Sequence, residues 1–65
     1  MPKGTVKWFN REKGFGFIAP DEGGRDIFVP SANIEPGHSI QDGQRVEFET
    51  AVGRKGPEAT KVRPI

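Results

Sequence analysis

The sequence has no cysteine and a single histidine among its 65 residues. Lack of cysteine rules out a disulfide framework and a thiolate metal site, so neither a secreted disulfide scaffold nor a zinc knuckle is available, and a reducing cytoplasm is the natural compartment. With one histidine, a catalytic triad would have to be assembled from His38, Ser31 or Ser39 and an acid, all in loop sequence, and no catalytic residues are expected. No run approaches the roughly 18 apolar residues of a membrane span, and Met1-Pro2-Lys3-Gly4 carries no apolar signal core. The chain is therefore expected to be soluble, cytoplasmic and free of membrane contact. No Walker-type phosphate loop exists, so no ATP-driven step is expected. Gly14-x-Gly16-x-x-Ala19 resembles the dinucleotide fingerprint but is followed by β-formers and Pro20 where that fingerprint needs a helix. No cofactor, metal or small-molecule substrate is implied.

Long helices are missing too. Nine glycines and six prolines are spread along the chain and leave no window for an amphipathic helix, while short alternating runs with turn residues between them indicate a small all-β barrel or sandwich. At this length there is one domain, spanning residues 1–65, with a thin core, because such a chain buries only about 60% of the surface it exposes when unfolded.

What is present is organised around Lys13-Gly14-Phe15-Gly16-Phe17-Ile18. In a strand, residues two apart share a face, so Phe15 and Phe17 lie on one side and Gly16 and Ile18 on the other. The bare backbone at Gly16 suits close packing onto a core and also keeps the space between the two rings clear. This strand runs from Phe15 to about Ala19 and is stopped by Pro20. After a glycine-rich connection, Asp26–Val29 repeats the pattern, with Ile27 and Val29 on one face and Phe28 on the other. If Ile18, Ile27 and Val29 face the core, then Phe15, Phe17 and Phe28 face outward together.

An earlier strand, Thr5–Asn10, alternates Val6 against Lys7 and Phe9. That parity puts Trp8 on the Val6 face, away from the other rings, unless a bulge or strong coil turns it outward. Pro30–Gly43 reads as irregular, with a single 3₁₀ turn near Ser31–Ile34 and with Ile34 and Ile40 as core anchors. Arg45–Thr50 alternates, with Val46, Phe48 and Thr50 inward and Glu47 and Glu49 in solvent. Gly53–Pro57 reads as a basic loop, and Glu58–Arg63 as a last strand burying Ala59 or Thr60 together with Val62.

The net charge of +1 hides a segregation. Residues 1–18 carry Lys3, Lys7, Arg11 and Lys13 against Glu12; residues 19–50 carry Arg25 and Arg45 against seven acids; residues 51–65 carry Arg54, Lys55, Lys61 and Arg63 against Glu58. Two basic ends flank an acidic middle. If the ends lie side by side, they form one positive surface able to follow a phosphate backbone.

Trp8-Phe9-Asn10, Lys13-Gly14-Phe15-Gly16-Phe17-Ile18 and Asp26-Ile27-Phe28-Val29 together resemble the cold-shock protein family, the second and third matching its RNP1 and RNP2 motifs. The resemblance extends to Gly43-Gln44-Arg45-Val46-Glu47-Phe48 and Lys55-Gly56-Pro57-Glu58-Ala59, so it covers the whole chain. It implies a five-stranded antiparallel Greek-key barrel of the OB type whose second and third strands bind single-stranded RNA or DNA. It also implies that Trp8 lies outward beside Phe15, Phe17 and Phe28. The chain departs from the family after Val29, where most bacterial members continue with histidine and an aromatic and this one has Pro30 and Ser31. His38 stands where the family often has phenylalanine, which makes it a candidate fifth stacking group.

An exposed patch of aromatic rings on a soluble monomer calls for a partner. Nucleobases all have a π-face, so stacking on Trp8, Phe15, Phe17, Phe28 and His38 would tolerate sequence. Lys7, Lys13, Arg54 and Lys55 are the candidate phosphate contacts, with Lys3 and Lys61 as further contributors. Asn10 and Asp26 are candidates for base edges, with a turn and a strand end as the competing structural roles. The function these readings point to is passive binding of single strands, as in an RNA chaperone that keeps transcripts unpaired. The competing reading is a small β-barrel whose aromatic face docks a protein.

Overall fold

Short alternating segments bounded by glycine and proline form five strands in the computed structural model, which describes residues 1–54 and 56–65. They are β1 (Lys3–Asn10), β2 (Phe15–Pro20), β3 (Ile27–Pro30), β4 (Arg45–Gly53) and β5 (Gly56–Pro64), with one 3₁₀ turn at Ser31–Asn33. The barrel closes in the order β1-β2-β3-β5-β4, with β4 returning to β1. This is the OB-type barrel. Its pairings are antiparallel except at the β3–β5 seam, where Phe28 lies opposite Glu58 in parallel register.

One interior is filled by Val6, Ile18, Val29, Ile40, Val46, Phe48, Ala59 and Val62, with Phe9, Ile27 and Ile34 packed against it. Ile40 is fully buried, as its role as an anchor requires, whereas Ile34 is only half-buried. Thr50, expected inward, is exposed, and Glu47 and Glu49, expected in solvent, are half-buried where they pair with Arg63 and Lys61 of β5.

Two bulges reconcile the sequence with this interior. In β1, Val6 pairs with Ile18 but Trp8 pairs with Phe17, so Lys7 is an extra residue with no partner on β2. The insertion inverts the parity beyond it: Trp8 turns out to solvent and Phe9 turns in to the core. In β5, Arg63 and Thr60 pair with Glu47 and Glu49, so two intervening residues stand against one. Lys61 takes up the difference at a φ of 51°, which is unusual for a residue with a side chain. Ala59 and Val62 are an odd number of residues apart, and this bulge is what allows both to be buried.

Gly16 is the tight point of the barrel wall. A Cβ there would overlap the Trp8 carbonyl oxygen and lie 2.7 Å from the Phe9 ring. Its bare backbone therefore serves the inward packing of Phe9; the spacing of the outward rings comes from strand register.

The strands reach further than their alternation suggests. Of the predicted basic loop, Gly53 ends β4 and Gly56-Pro57 open β5. Arg54 lies between them, and the expected phosphate contact Lys55 lies outside the described residues. The basic ends are not side by side either. β4 lies between β1 and β5, and its Glu47 and Glu49 pair with Arg63 and Lys61.

Candidate functional site

Register across three strands builds the aromatic face. Trp8 of β1 lies opposite Phe17 of β2, and Phe17 lies opposite Phe28 of β3. Phe15 stands beside this row, two residues from Phe17 and paired with Asn10 and Pro30. Ring centroids are 5.6 Å apart for Trp8–Phe15, 5.3 Å for Trp8–Phe17, 5.7 Å for Phe15–Phe28 and 5.8 Å for Phe17–Phe28. The four contacts join the four rings into a closed cycle. Interplanar angles run from 39° to 66°, so each pair meets tilted or edge-on and none covers the other's face by stacking. Trp8 is 40% exposed, and the three phenylalanines are half-buried.

The polar groups around the rings divide into engaged and free. Lys7, placed outward by the β1 bulge, has its ammonium 3.1 Å from a carboxylate oxygen of Asp26. The two candidates thus engage each other across the top of the sheet. Asn10 accepts a hydrogen bond from the Lys13 backbone N–H through its side chain (3.0 Å) and one from the Gly14 N–H through its carbonyl (2.8 Å). It orders the β1–β2 turn and so sets the position of Phe15. Arg11, Lys13 and Arg54 are exposed and make no ion pair among the described residues.

His38 is not among the ring contacts. It is exposed on the segment between the 3₁₀ turn and β4, where it lines a cleft of about 400 Å³ with Phe9, Arg11 and Ser31. Between this cleft and the rings, Ser31 donates its backbone N–H to the Gly14 carbonyl (2.8 Å) and starts the 3₁₀ turn. The ring row therefore ends at Phe15 and Phe28 on this side, and the next side chains are a proline and a hydroxyl.

On the other side the row continues into a residue the sequence did not single out. Glu58 lies opposite Phe28, and the two line a smaller cleft of about 220 Å³ with Arg54, Gly56 and Pro57. The Asn33 amide donates to Glu58 Oε2 at 3.3 Å and to the Ala59 carbonyl at 2.9 Å. The parallel seam joins segments 30 residues apart, so no local spacing marks the pair. The available signal was parity: with Ala59 inward, Glu58 must face the platform side.

The opposite side of the barrel has a different electrostatic character. Arg45 makes a bidentate contact with Asp21, at 2.6 and 2.7 Å, and Arg63 engages Glu47. Hydrogen bonding from these guanidinium groups lowers the pKa of both carboxyls from the ordinary carboxylate range and raises those of Arg45 and Arg63. No group of three or more potential metal ligands occurs among the described residues, and no helix is long and apolar enough to cross a membrane.

Residues 2–65 match the family model described as the 'Cold-shock' DNA-binding domain. The chain is 54% identical to Probable cold shock protein A of Mycolicibacterium smegmatis over the whole of both chains. It is 52% identical to Cold shock-like protein CspE of Escherichia coli, over 92% of this chain and 90% of the other. Among solved structures it resembles drosophila Unr CSD456 with a TM-score of 0.81 at 20% identity, over 98% of this chain and 26% of that one. That last likeness is one of fold.

Proposed function

The chain belongs to the cold-shock domain family of nucleic-acid-binding proteins, and from that premise we propose that it binds single-stranded RNA and DNA with broad sequence tolerance and acts as a passive RNA chaperone. The observation that carries this reading is the closed cycle of Trp8, Phe15, Phe17 and Phe28, four rings from three strands held 5.3 to 5.8 Å apart on one outer face. Base stacking on such rings is sequence-tolerant and contributes roughly 1–3 kcal/mol per base. Lys7, Lys13, Arg54 and Lys55 contact phosphates, Asn10 and Asp26 border the base edges, and His38 offers a further ring beyond the Ser31 interruption.

The action needs no catalysis. A protein that takes only the open strand draws hairpins toward the unpaired state by mass action, to an extent set by its free concentration relative to its Kd. The protein works as a cytoplasmic monomer, and its specificity for strand state follows from the rings, because bases paired in a duplex hide their faces in the stack.

Trp8 fluorescence tests the reading directly, since this indole is part of the platform. Addition of a short pyrimidine-rich single strand quenches it, a duplex of the same sequence does not, and the apparent affinity falls as salt rises. Absence of any response at low salt, with capture of a protein ligand by the same face, would replace this reading with that of a protein-docking barrel. Parallel titrations with oligo-dT, oligo-U and duplex separate strand state from sugar preference.

A further inference from the structure

Two turns border the cleft of about 400 Å³ beyond Ser31. One is the β1–β2 turn, closed by the Gly14 N–H on the Asn10 carbonyl (2.8 Å), which carries Arg11. The other is Glu35-Pro36-Gly37-His38. There the His38 N–H donates to the Glu35 carbonyl at 3.1 Å and Gly37 takes a φ of 83°, the proline-glycine pattern of a type II turn. This second turn is held on both sides, since the Glu35 N–H donates to the Val62 carbonyl of β5 at 2.9 Å and Ile40 is fully buried. His38 is thus exposed on an anchored turn. Arg11 and Glu35 are the other ionisable residues lining the cleft among the described residues. Asp42, in the neighbouring cleft with Arg11 and Phe9, has one carboxylate oxygen taken by the Phe9 N–H at 2.9 Å. With a neutral imidazole the cleft holds one cation and one anion; with an imidazolium it holds two cations against one anion.

We propose that His38 and Arg11 form a phosphate site beyond the end of the ring platform, one that holds a single strand more tightly as pH falls because the imidazole takes up a proton together with the phosphate. This rests on the single-strand-binding reading above and deepens it. A strand leaving the rings past Phe15 crosses the link between Ser31 and Gly14 and brings its backbone to this cleft. Histidine changes charge between about pH 5 and 8. An imidazolium donates from both ring nitrogens and attracts a phosphate oxygen, whereas a neutral imidazole has one donor and no charge. Proton and phosphate then favour each other's binding by the same factor, as linkage requires. The phenylalanine and indole rings have no proton to exchange in this range, so the pH response belongs to the cleft and not to the platform.

The test is Trp8 quenching by oligo-dT of about seven nucleotides at fixed ionic strength, from about pH 8 to about pH 5.5, a range in which thymine and the phosphodiester do not titrate. Wild-type protein is expected to bind about five-fold more tightly at the acid end. His38→Phe, which keeps a ring, and His38→Gln, which keeps polar groups, should each bind with the same affinity at both ends. The N-terminal amine, whose charge acts on Glu47 on the β4 side, is untouched by either variant. A check that needs no variant is the ring-proton NMR signal of the single histidine. Saturating oligo-dT should raise its titration midpoint by about 0.7 in pH, the same five-fold factor read from the protein. A wild-type affinity independent of pH, a pH dependence that survives in both variants, or an imidazole midpoint unmoved by oligo-dT overturns the phosphate site while leaving single-strand binding standing. Absence of quenching at every pH overturns single-strand binding, and this site with it.

Discussion

Two faces of one small barrel handle charge and apolar surface in opposite ways. On the β1–β2–β3 face, four rings lie on the surface, and the nearby cations Arg11, Lys13 and Arg54 have no carboxylate partner among the described residues. Around β4 and its neighbours, Arg45, Lys61 and Arg63 are held by Asp21, Glu49 and Glu47, and the apolar side chains Val46, Phe48, Ala59 and Val62 are fully buried. Under the proposed function the first face offers apolar surface and charge to a ligand, whereas the second uses both on the fold. A net charge of only +1 is compatible with binding a polyanion because three of the β4-side acids are taken up by Arg45, Lys61 and Arg63, while Arg11, Lys13 and Arg54 have no carboxylate partner among the described residues.

The sharpest way to break this division is Phe15→Ala. Phe15 is half-buried and outside the core cluster, so its loss should weaken single-strand binding by roughly 1–3 kcal/mol. Thermal stability should change much less than it would on truncating Phe48, a fully buried ring whose loss typically costs about 3–5 kcal/mol. Melting curves and Trp8 titrations on both variants check the contrast. A Phe15→Ala protein that melts far below wild type while binding normally would show that the ring serves the fold.

The next effect concerns where the platform ends. Pro30 and Ser31 follow Phe28 and Val29 without adding a ring, and Ser31 is tied to the Gly14 carbonyl. Replacing them together by His and Phe should tighten binding of oligonucleotides of about six or seven nucleotides by several-fold, with little change for the shortest ligands. Equal affinities of parent and variant at every length would show that this edge is unused or already served by another group, His38 in its adjoining cleft being the first to test.

Much of this was legible because period-2 alternation is a local property. The outward set Phe15, Phe17 and Phe28 and the inward set Ile18, Ile27 and Val29 follow from parity within single strands; Ile18 and Val29 are fully buried, and Ile27 is half-buried against the core. What alternation misses is insertion. The β1 bulge at Lys7 and the β5 bulge at Lys61 each shift parity by one residue, so Phe9 lies against the core, and Ala59 is buried together with Val62 although three positions separate them. Nothing in the residue types at Lys7 or Lys61 announces a bulge. Trp8 was placed outward only through its family resemblance. The conditional expectation of one continuous basic surface failed for a topological reason, because strand order inserts β4 between the two ends. Glu58 went unnoticed for the same kind of reason, its neighbour Phe28 being brought to it across a seam.

The smallest effect belongs to the ion pairs of the β4 side, and pH is the means to reach it. Guanidinium hydrogen bonds lower the folded-state pKa values of Asp21 and Glu47, and a carboxyl whose pKa is depressed by folding adds stability above its unfolded value. That contribution is complete at neutral pH and is lost as pH falls through the ordinary carboxylate range and on through the lower folded value. The melting temperature of the wild-type protein should accordingly decline on acidification. The Asp21–Arg45 pair is open to solvent and the Glu47–Arg63 pair, with Glu47 half-buried, lies at the surface; both are screened by salt, so each is a minor contributor. Asp21→Asn and Glu47→Gln should therefore lower the neutral-pH melting temperature only slightly, while flattening its acid limb. Their single-strand affinity should stay unchanged, because neither pair touches the rings. If either variant altered affinity as much as Phe15→Ala does, the separation between a ligand-facing side and a fold-bearing side would not hold. If both left the acid limb as steep as in wild type, the guanidinium pairs of the β4 side would not be the source of the acid sensitivity.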